Sequence, residues 1–432
     1  MSTPNSPGMS TKLVSRITLV LLFRKFIIVL KINPNLFIAF HFTQNMLTET
    51  AKKALEKQSY RIIGTHSAVK TCGWTKKMVK GEGGCYKLKF YGIMSHQCLQ
   101  MTTSISCANR CTFCWRGYKA PVSKEWGWAV DDPEMILNKS LEEHYDLLVG
   151  YKGNSKTNQQ LFQQSNTVKH VALSLTGEPI IYPRINELLK LFNGRGISTF
   201  MVTNAQYPEQ IRDLNPVTQL YCSVDAPNKD LLKKIDLPLF SDYWERMLKS
   251  LEFLSQKKER TCIRLTIVNS LNDVEPENYA QLIQLGDPDF VEVKGYMFVG
   301  DSRQRLNKDN MPWHEDVVAF SKKILKFLPD YELISEHIPS RVVLLAKKKF
   351  FVDGEWKTWI DFEKWEKLIN SEKNFTSLDF VKKTPSVGIS GRKIKEEVEK
   401  KKGIYVNEET EELEFWKENK DDSSKDSNDD GC

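Results

Sequence analysis

Between residues 170 and 347, short apolar runs alternate with amphipathic stretches, and that alternation is the first guide to the fold. His170–Leu175, Ser198–Thr203, Gln219–Val224, Cys262–Val268 and Phe290–Lys294 are near-continuous apolar runs, the pattern of strands buried on both faces. Ile185–Phe192, Tyr243–Ser255, Pro276–Leu285 and Glu315–Phe327 instead place their apolar residues at helical spacing,. Strands separated by helices predict crossover connections and a parallel sheet. Taken alone, the pattern fits a doubly wound sheet and a barrel equally well. Upstream, Met46–Ser59 is predicted as a helix, and Asp131-Asp132-Pro133 caps a second one running to about Val149,. Past Arg341, short strands at Val342–Lys347 and Phe350–Val352 precede a basic helical stretch to which the sequence assigns no role. No internal repeat of about 20–50 residues is present.

The two ends differ from this body. The first 48 residues hold no acidic residue and five basic ones, Lys12, Arg16, Arg24, Lys25 and Lys31, among apolar runs. Arg24, Lys25 and Lys31 interrupt any span of about 20 apolar residues, which disfavours membrane insertion. Such a leader resembles an organelle-targeting segment; the plainer alternative is an extension ahead of Met46. From Glu408 to Cys432 there are eleven acidic and three basic residues, a net of −8 that predicts disorder,. The whole chain is +7, so the remainder carries +15. That excess suits a polyanionic partner, although an ordinary solvated face would also account for it. The expected organisation is a leader at 1–45, a core at 46–350, an extension at 351–407 and an acidic tail at 408–432.

The candidate chemistry lies in the cysteines, six of whose nine fall between Cys72 and Cys114. Cys107, Cys111 and Cys114 are spaced C-x3-C-x2-C, with Phe113 before the last. Cys72, Cys85 and Cys98 stand thirteen residues apart each time, with Gly81, Gly83 and Gly84 marking a turn between the first two. Thiolates suit zinc, copper(I) or iron–sulfur clusters. Structural zinc takes four protein ligands, whereas three cysteines on one loop fit a cubane with one iron left open to a small molecule. A zinc knuckle completed by His96, or simply buried cysteines, are the alternatives. The clustering also argues for a reducing compartment.

These residues carry a resemblance. The Cys107/Cys111/Cys114 loop with Phe113 resembles the radical S-adenosylmethionine (SAM) signature. The second trio, with GTHSAVKTCGWTKK, CYKLKFYGIMSHQC, FCWRG, LSLTGEPIIYP, RTCIRLTIV and VEVKGYMFVGDSRQRL, is similar to the tRNA 4-demethylwyosine synthases of wybutosine biosynthesis. The similarity spans roughly Tyr60 to Leu345.

The resemblance implies an α/β fold, the partial (β/α)6 TIM-like barrel of the radical SAM superfamily, with its site at the carboxyl ends of the strands. It implies two [4Fe–4S] clusters, one on each cysteine trio, with SAM on the first and pyruvate as co-substrate at the second. The implied reaction condenses pyruvate with N1-methylguanosine beside the anticodon of tRNA-Phe, a carbon–carbon lyase chemistry. Ser174, Thr176, Gly177, Glu178 and Pro179 would form the turn that receives the SAM ammonium. Thr203, Asn204, Ser223, Asp225 and Arg264 would meet its ribose or carboxylate, and Met297, Phe298 and Val299 would form an apolar wall under the adenine. Ser or Asp after a strand is also ordinary turn chemistry. A lysine capturing the ketone would be Lys87, with Lys294 and Lys152 in reserve.

RNA contacts are expected from Lys76, Lys77, Lys80, Lys89, Arg110, Arg116 and Lys119, interleaved with Trp74, Tyr86, Tyr91, Trp115 and Tyr118, and from Arg303 and Arg305. The 71 residues before Cys72 are too few for the flavodoxin-like domain some relatives carry, so an external electron donor, such as a flavodoxin or reductase, is expected. The expected location is cytoplasmic, with an organelle as the alternative. A different radical SAM enzyme with an auxiliary cluster and a zinc-stabilised RNA-binding protein are the rival functions.

Overall fold

The computed structural model describes residues 46–117, 120–371 and 374–388. It also describes the backbone of two antiparallel ribbons, Ile27–Asn33 with Leu36–His41 and Ile404–Val406 with Leu413–Phe415. The leader's side chains, Tyr118, Lys119 and most of the acidic tail lie outside the described residues. Among the described residues, no helix is long and apolar enough to cross a membrane.

Ten strands form one sheet. In chain order they are β1 (Arg61–Ile63), β2 (Ser67–Val69), β3 (Cys98–Thr102), β4 (His170–Leu173), β5 (Ser198–Thr203), β6 (Gln219–Ser223), β7 (Arg260–Ile267), β8 (Phe290–Gly295), β9 (Tyr331–His337) and β10 (Val342–Lys347). The six strands β3 to β8 lie side by side in sequence order and pair in parallel throughout. This is the partial (β/α)6 barrel. Antiparallel β2 and β1 extend one edge, and β10 then β9 extend the other. The apolar pattern places β5 and β10 to the residue. β3 is the barrel strand the pattern misses, because its polar Gln100 and Thr102 are buried inside the barrel.

Alternation along each strand divides two cores. Met201, Leu220, Ile263, Leu265, Val291 and Val293 face outward and pack against the helices Ile185–Gly194, Tyr243–Ser255, Pro276–Gly286 and His314–Leu325. Phe200, Tyr221, Cys262 and Phe290 face inward, where they meet Tyr86, Phe90 and Tyr91 of the helix Tyr86–Tyr91. That inner core also takes Phe350, Trp356, Ile360, Trp365 and Phe380. The extension without an assigned role is therefore part of the barrel's packing.

Arg260 fixes this junction. It is fully buried, donates from Nε to Gln219 Oε1 at 3.1 Å and from Nη2 to Thr358 O at 2.8 Å, and lies 4.5 Å from the Phe290 ring centroid. Trp359 Nε1 donates to Lys89 O at 3.0 Å, and Thr358 Oγ1 to Phe90 O at 2.8 Å. Gly92 ends the helix at φ +78°, and a Cβ there would sit 2.8 Å from the Trp359 ring. The extension thus holds the segment that carries Cys85 and Lys87.

The helix Pro133–Leu148 starts as expected, with Asp132 accepting from Glu134 N at 3.0 Å and Met135 N at 3.2 Å,. On its inner face His144 is buried, and neither ring nitrogen has a hydrogen-bond partner. Burial pulls its pKa down to about 4,. The unfolded chain, with His near 6.5, then binds the extra proton, so stability present above about pH 6.5 is lost as pH falls toward 4. Replacing His144 with Leu should remove up to roughly 3 kcal/mol of that loss. The expected result is a shallower fall of melting temperature between pH 6.5 and 4. An unchanged slope would refute the assignment.

Candidate functional site

The C-x3-C-x2-C loop follows β3 and is pinned from three sides. Arg110 N donates to Asp236 O at 2.9 Å and Thr112 N to Ile235 O at 2.7 Å, at the end of the helix Lys229–Asp236. Asn109 Nδ2 donates to Asp236 Oδ2 at 3.2 Å. From beyond β8, Arg305 donates from Nε to Thr112 O at 2.9 Å and from Nη2 to Arg116 O at 3.3 Å and to Cys114 O. Arg116 folds back, donating to Ile105 O at 3.0 Å, Pro121 O at 3.3 Å and Asn109 O at 2.9 Å. Burial opposes its charge, but Cys107, Cys114 and Cys111 beside it raise its pKa overall. One guanidinium thus answers the charge of all three thiols.

Burial pushes the Cys107 thiol up to about 11 and raises Cys111 as well. Metal binding must therefore displace their protons. Cys107 Sγ accepts from Asn109 N and from Asn204 Nδ2, each at 3.4 Å. Phe113 packs, half-buried, against the outer core.

The SLTGEP turn lies against this loop. Gly177 has φ +69°, and a Cβ there would sit 1.9 Å from Ser104 O. Only glycine allows the approach. The next residue, Glu178, donates its N–H to Ser106 O at 2.8 Å and is buried. Its Oε2 accepts from Asn204 N at 2.9 Å, while Oε1 and the neighbouring Ser106 Oγ are buried without partners. Burial raises the carboxyl pKa to about 7. An orphaned carboxylate oxygen beside a cysteine loop fits a ligand's ammonium group. Pro179 accepts at its carbonyl from Thr103 Oγ1 at 2.7 Å, and Ser174 and Thr176 are half-buried at the end of β4.

The other expected contacts line the same face. Asn204, Ser223 and Arg264 are half-buried, unlike most of the buried strand residues around them. Ser223, Arg264 and Glu292 stand in one row across β6, β7 and β8. Thr203 is buried, its Oγ1 accepting from Ala205 N at 3.3 Å. Asp225 accepts from Thr266 N at 3.3 Å, and burial raises its pKa to about 6. Met297, Phe298 and Val299 are half-buried, with Phe298 packed near Val268, Tyr296 and Leu306.

The second trio is organised by Ser95. Its carbonyl accepts from Thr75 Oγ1 at 2.8 Å, three residues after Cys72, and its Oγ accepts from Cys85 N at 2.8 Å. Cys98 follows three residues later and opens β3. Cys72 and Cys85 each precede a short helix at its cap position. His96, the expected fourth zinc ligand, binds Gln164 Oε1 through Nε2 at 2.8 Å. Among the described residues, no three His, Cys, Asp or Glu side chains lie close enough to share one metal ion. None of the eight described cysteines is in a disulfide. β3 leads from Cys98 at its start toward the loop that carries Cys107, Cys111 and Cys114.

Lys87 projects into the barrel interior. It is buried, with Nζ 5.7 Å from the Tyr221 ring centroid and 5.8 Å from that of Tyr86. Tyr86 and Tyr91 both donate to Glu292, at 2.9 and 3.0 Å. Lys294 is also buried at the end of β8, but Lys152 is exposed on the turn after the helix Pro133–Leu148.

Several expected RNA contacts are corrected here. Tyr86 and Tyr91 are fully buried and engaged with Glu292, so neither ring can stack on a base. Arg116 and Arg305 are half-buried and spend donors on the backbone of the cysteine loop. Lys89 donates to Glu336 O at 2.7 Å, and burial lowers its pKa to about 8. Trp115 stacks on Tyr60 at 5.8 Å under Lys70. Arg110 and Arg303 are exposed, and Trp74, Lys76, Lys77 and Lys80 half-buried. The sequence missed Asp236, Glu292 and Ser95, each of which acts through partners distant along the chain.

The radical SAM superfamily model matches residues 101–283, and the wyosine base formation model matches residues 285–347. The S-adenosyl-L-methionine-dependent tRNA 4-demethylwyosine synthase TYW1 of Xenopus laevis is 50% identical over 355 residues, covering 81% of this chain and 48% of that protein. The same-named protein of Homo sapiens is 49% identical over 353 residues, covering 80% and 48%. The chain thus spans about half the length of the curated relatives it matches. A solved structure of TYW1 with a lysine-pyruvate adduct bound superposes with a TM-score of 0.64 at 37% identity, covering 70% of this chain and 97% of that one. The crystal structure of archaeal TYW1 gives 0.58 at 35% identity, covering 70% and 98%.

Gly177→Ala tests the contact between the turn and the cysteine loop. It should cost roughly 1–3 kcal/mol, read as a lower melting temperature, and should reduce iron retained on reconstitution. Wild-type stability and iron content would show that the approach is not required.

Proposed function

The chain belongs to the tRNA 4-demethylwyosine synthases of the radical SAM superfamily, and we propose that it condenses pyruvate with N1-methylguanosine beside the anticodon of tRNA-Phe. The observation that carries this reading is the placement of both cysteine trios, Glu178 and Lys87 around one barrel interior. When bound, a [4Fe–4S] cluster on Cys107, Cys111 and Cys114 together with SAM supplies a 5′-deoxyadenosyl radical.

The chain's own residues then have distinct tasks. Glu178 Oε1 receives the ammonium of SAM, and Ser174 and Gly177 shape the turn around it. Asn204 and Asn109 donate to Cys107 Sγ, which stabilises its thiolate form. Thr203, Ser223, Asp225 and Arg264 line the interior where ribose and carboxylate groups would lie. Arg116 offsets the charge of the three thiolates.

Cys72, Cys85 and Cys98 would hold the second cluster, which would supply a Lewis-acidic site for pyruvate. Lys87 captures the ketone as an unprotonated amine. Its burial beside Tyr221 and Tyr86 keeps water from the adduct, and the Tyr86–Glu292–Tyr91 clamp fixes the short helix that carries it. Lys294 is the second-ranked lysine. The solved relative with a lysine–pyruvate adduct supports this division of labour. A low-potential electron donor completes the partners, and six clustered thiols suit a reducing compartment such as the cytoplasm.

The test is anaerobic. The full chain, reconstituted with iron and sulfide, should hold about eight irons. With dithionite, SAM, pyruvate and tRNA bearing N1-methylguanosine it should yield a tricyclic nucleoside detected by mass. SAM cleavage without that product would point to another radical enzyme, and zinc without cleavage would end the enzyme reading. Lys87→Arg should abolish borohydride-trapped pyruvate adduct while SAM cleavage continues. Persistence of the adduct would move the role to Lys294.

A further inference from the structure

The loop from β8 to the helix His314–Leu325 carries exposed chemistry that the barrel interior does not use. Trp313 is 68% exposed, the highest value among the large apolar side chains of the described residues. An indole this exposed offers a large flat face with one polar edge to a partner. It is firmly held. Its backbone N–H donates to Asp316 Oδ2 at 2.8 Å, and the Arg341 guanidinium lies 4.8 Å from its ring centroid. Arg341 donates in turn to Pro312 O, and Glu315 and Asp316 lie close enough to offset its charge.

A second pair of the same kind stands on this loop. The exposed Arg303 lies 5.5 Å from the Phe298 ring centroid and donates to Phe298 O at 3.1 Å. Phe298 N donates to Met311 Sδ at 3.4 Å, which joins the two halves of the loop. The loop also sits at the barrel mouth. Gly295 ends β8 one residue past Lys294, its N–H donates to Arg341 O at 2.7 Å, and a Cβ there would meet the Pro312 ring at 2.9 Å.

We propose that Trp313 is a stacking platform for an unpaired RNA base at the rim of the barrel, with the Phe298–Arg303 pair beside it on the same loop. This rests on the tRNA reading above. Arg341 covers one face of the indole and the other is available, so a single flat ring completes the site. A base presents that ring whatever its identity. A stable protein interface would need about 800 Å² from each partner, far more than one indole offers. Because Glu315 and Asp316 already offset Arg341, the contribution of Trp313 is stacking rather than phosphate pairing. It should therefore be insensitive to salt.

The test uses the full-length reconstituted protein and a tRNA bearing N1-methylguanosine, with affinity measured across a salt series. Trp313→Ala should weaken binding about tenfold without changing the slope of affinity against salt, and SAM cleavage should stay at the wild-type rate. Trp313→Phe should restore most of the affinity and Trp313→Leu should not, which separates an aromatic face from mere bulk should the alanine variant also melt earlier. Arg303→Ala should instead lower the slope by about 0.7. Wild-type affinity in the alanine or leucine variant would overturn the platform while leaving the proposed reaction standing. Unchanged affinity with slower donor-supported turnover would also overturn it, by making the indole a protein-docking residue. Failure of the wild-type chain to bind tRNA would remove both readings together.

Discussion

No side chain fits at position 177, because the turn after β4 packs directly onto the backbone at Ser104. The rest of the site follows from that contact. It carries Glu178 under the cysteine loop, where the carboxyl is stripped of water and its pKa rises to about 7. A carboxyl in that condition gains most from a bound cation, because burial has left one oxygen without a partner,. It also lets Asn204 donate to both Glu178 and Cys107, linking the buried carboxyl to the thiol. A loosely packed turn would leave Glu178 solvated, with no orphaned oxygen to offer.

The barrel interior obeys a different constraint. It is open between β9 and β1, so something must fill it. The filling comes from the short helix Tyr86–Tyr91 above and from the extension around Thr358 and Trp359 below. Burying tyrosines there requires partners for their hydroxyls, and Glu292 serves Tyr86 and Tyr91 together. Buried Arg260 donates from Nε to Gln219 and from Nη2 to Thr358 O. The polar groups inside the barrel are therefore linked to the segment that presents Lys87, and the extension serves the site without touching it.

The positive charge of the body divides along the same lines. Arg116, Arg305 and Arg260 are inward residues that hold backbone carbonyls, although in sequence they look like any other basic residue near a candidate RNA site. Guanidinium groups suit that work because their fixed donors satisfy several carbonyls at once. What remains for a polyanion is the exposed set, Arg110 and Arg303, with half-buried Lys76, Lys77 and Lys80 and the aromatic rim at Trp313.

The sequence by itself determined five of the six barrel strands, the crossover helices and which residues are candidates for the chemistry. Those signals are local: apolar runs, an Asp-Pro cap, a cysteine spacing, a Gly-Glu-Pro turn. β3 escaped the pattern because a strand lining a polar interior does not look apolar. Only the tertiary structure decided which of the basic and aromatic residues face a partner and which brace the core. Tyr86 looks like a stacking residue until Glu292, 206 residues away, is seen to hold its hydroxyl. Burial and long-range pairing are properties of the packed chain, and no window of sequence contains them.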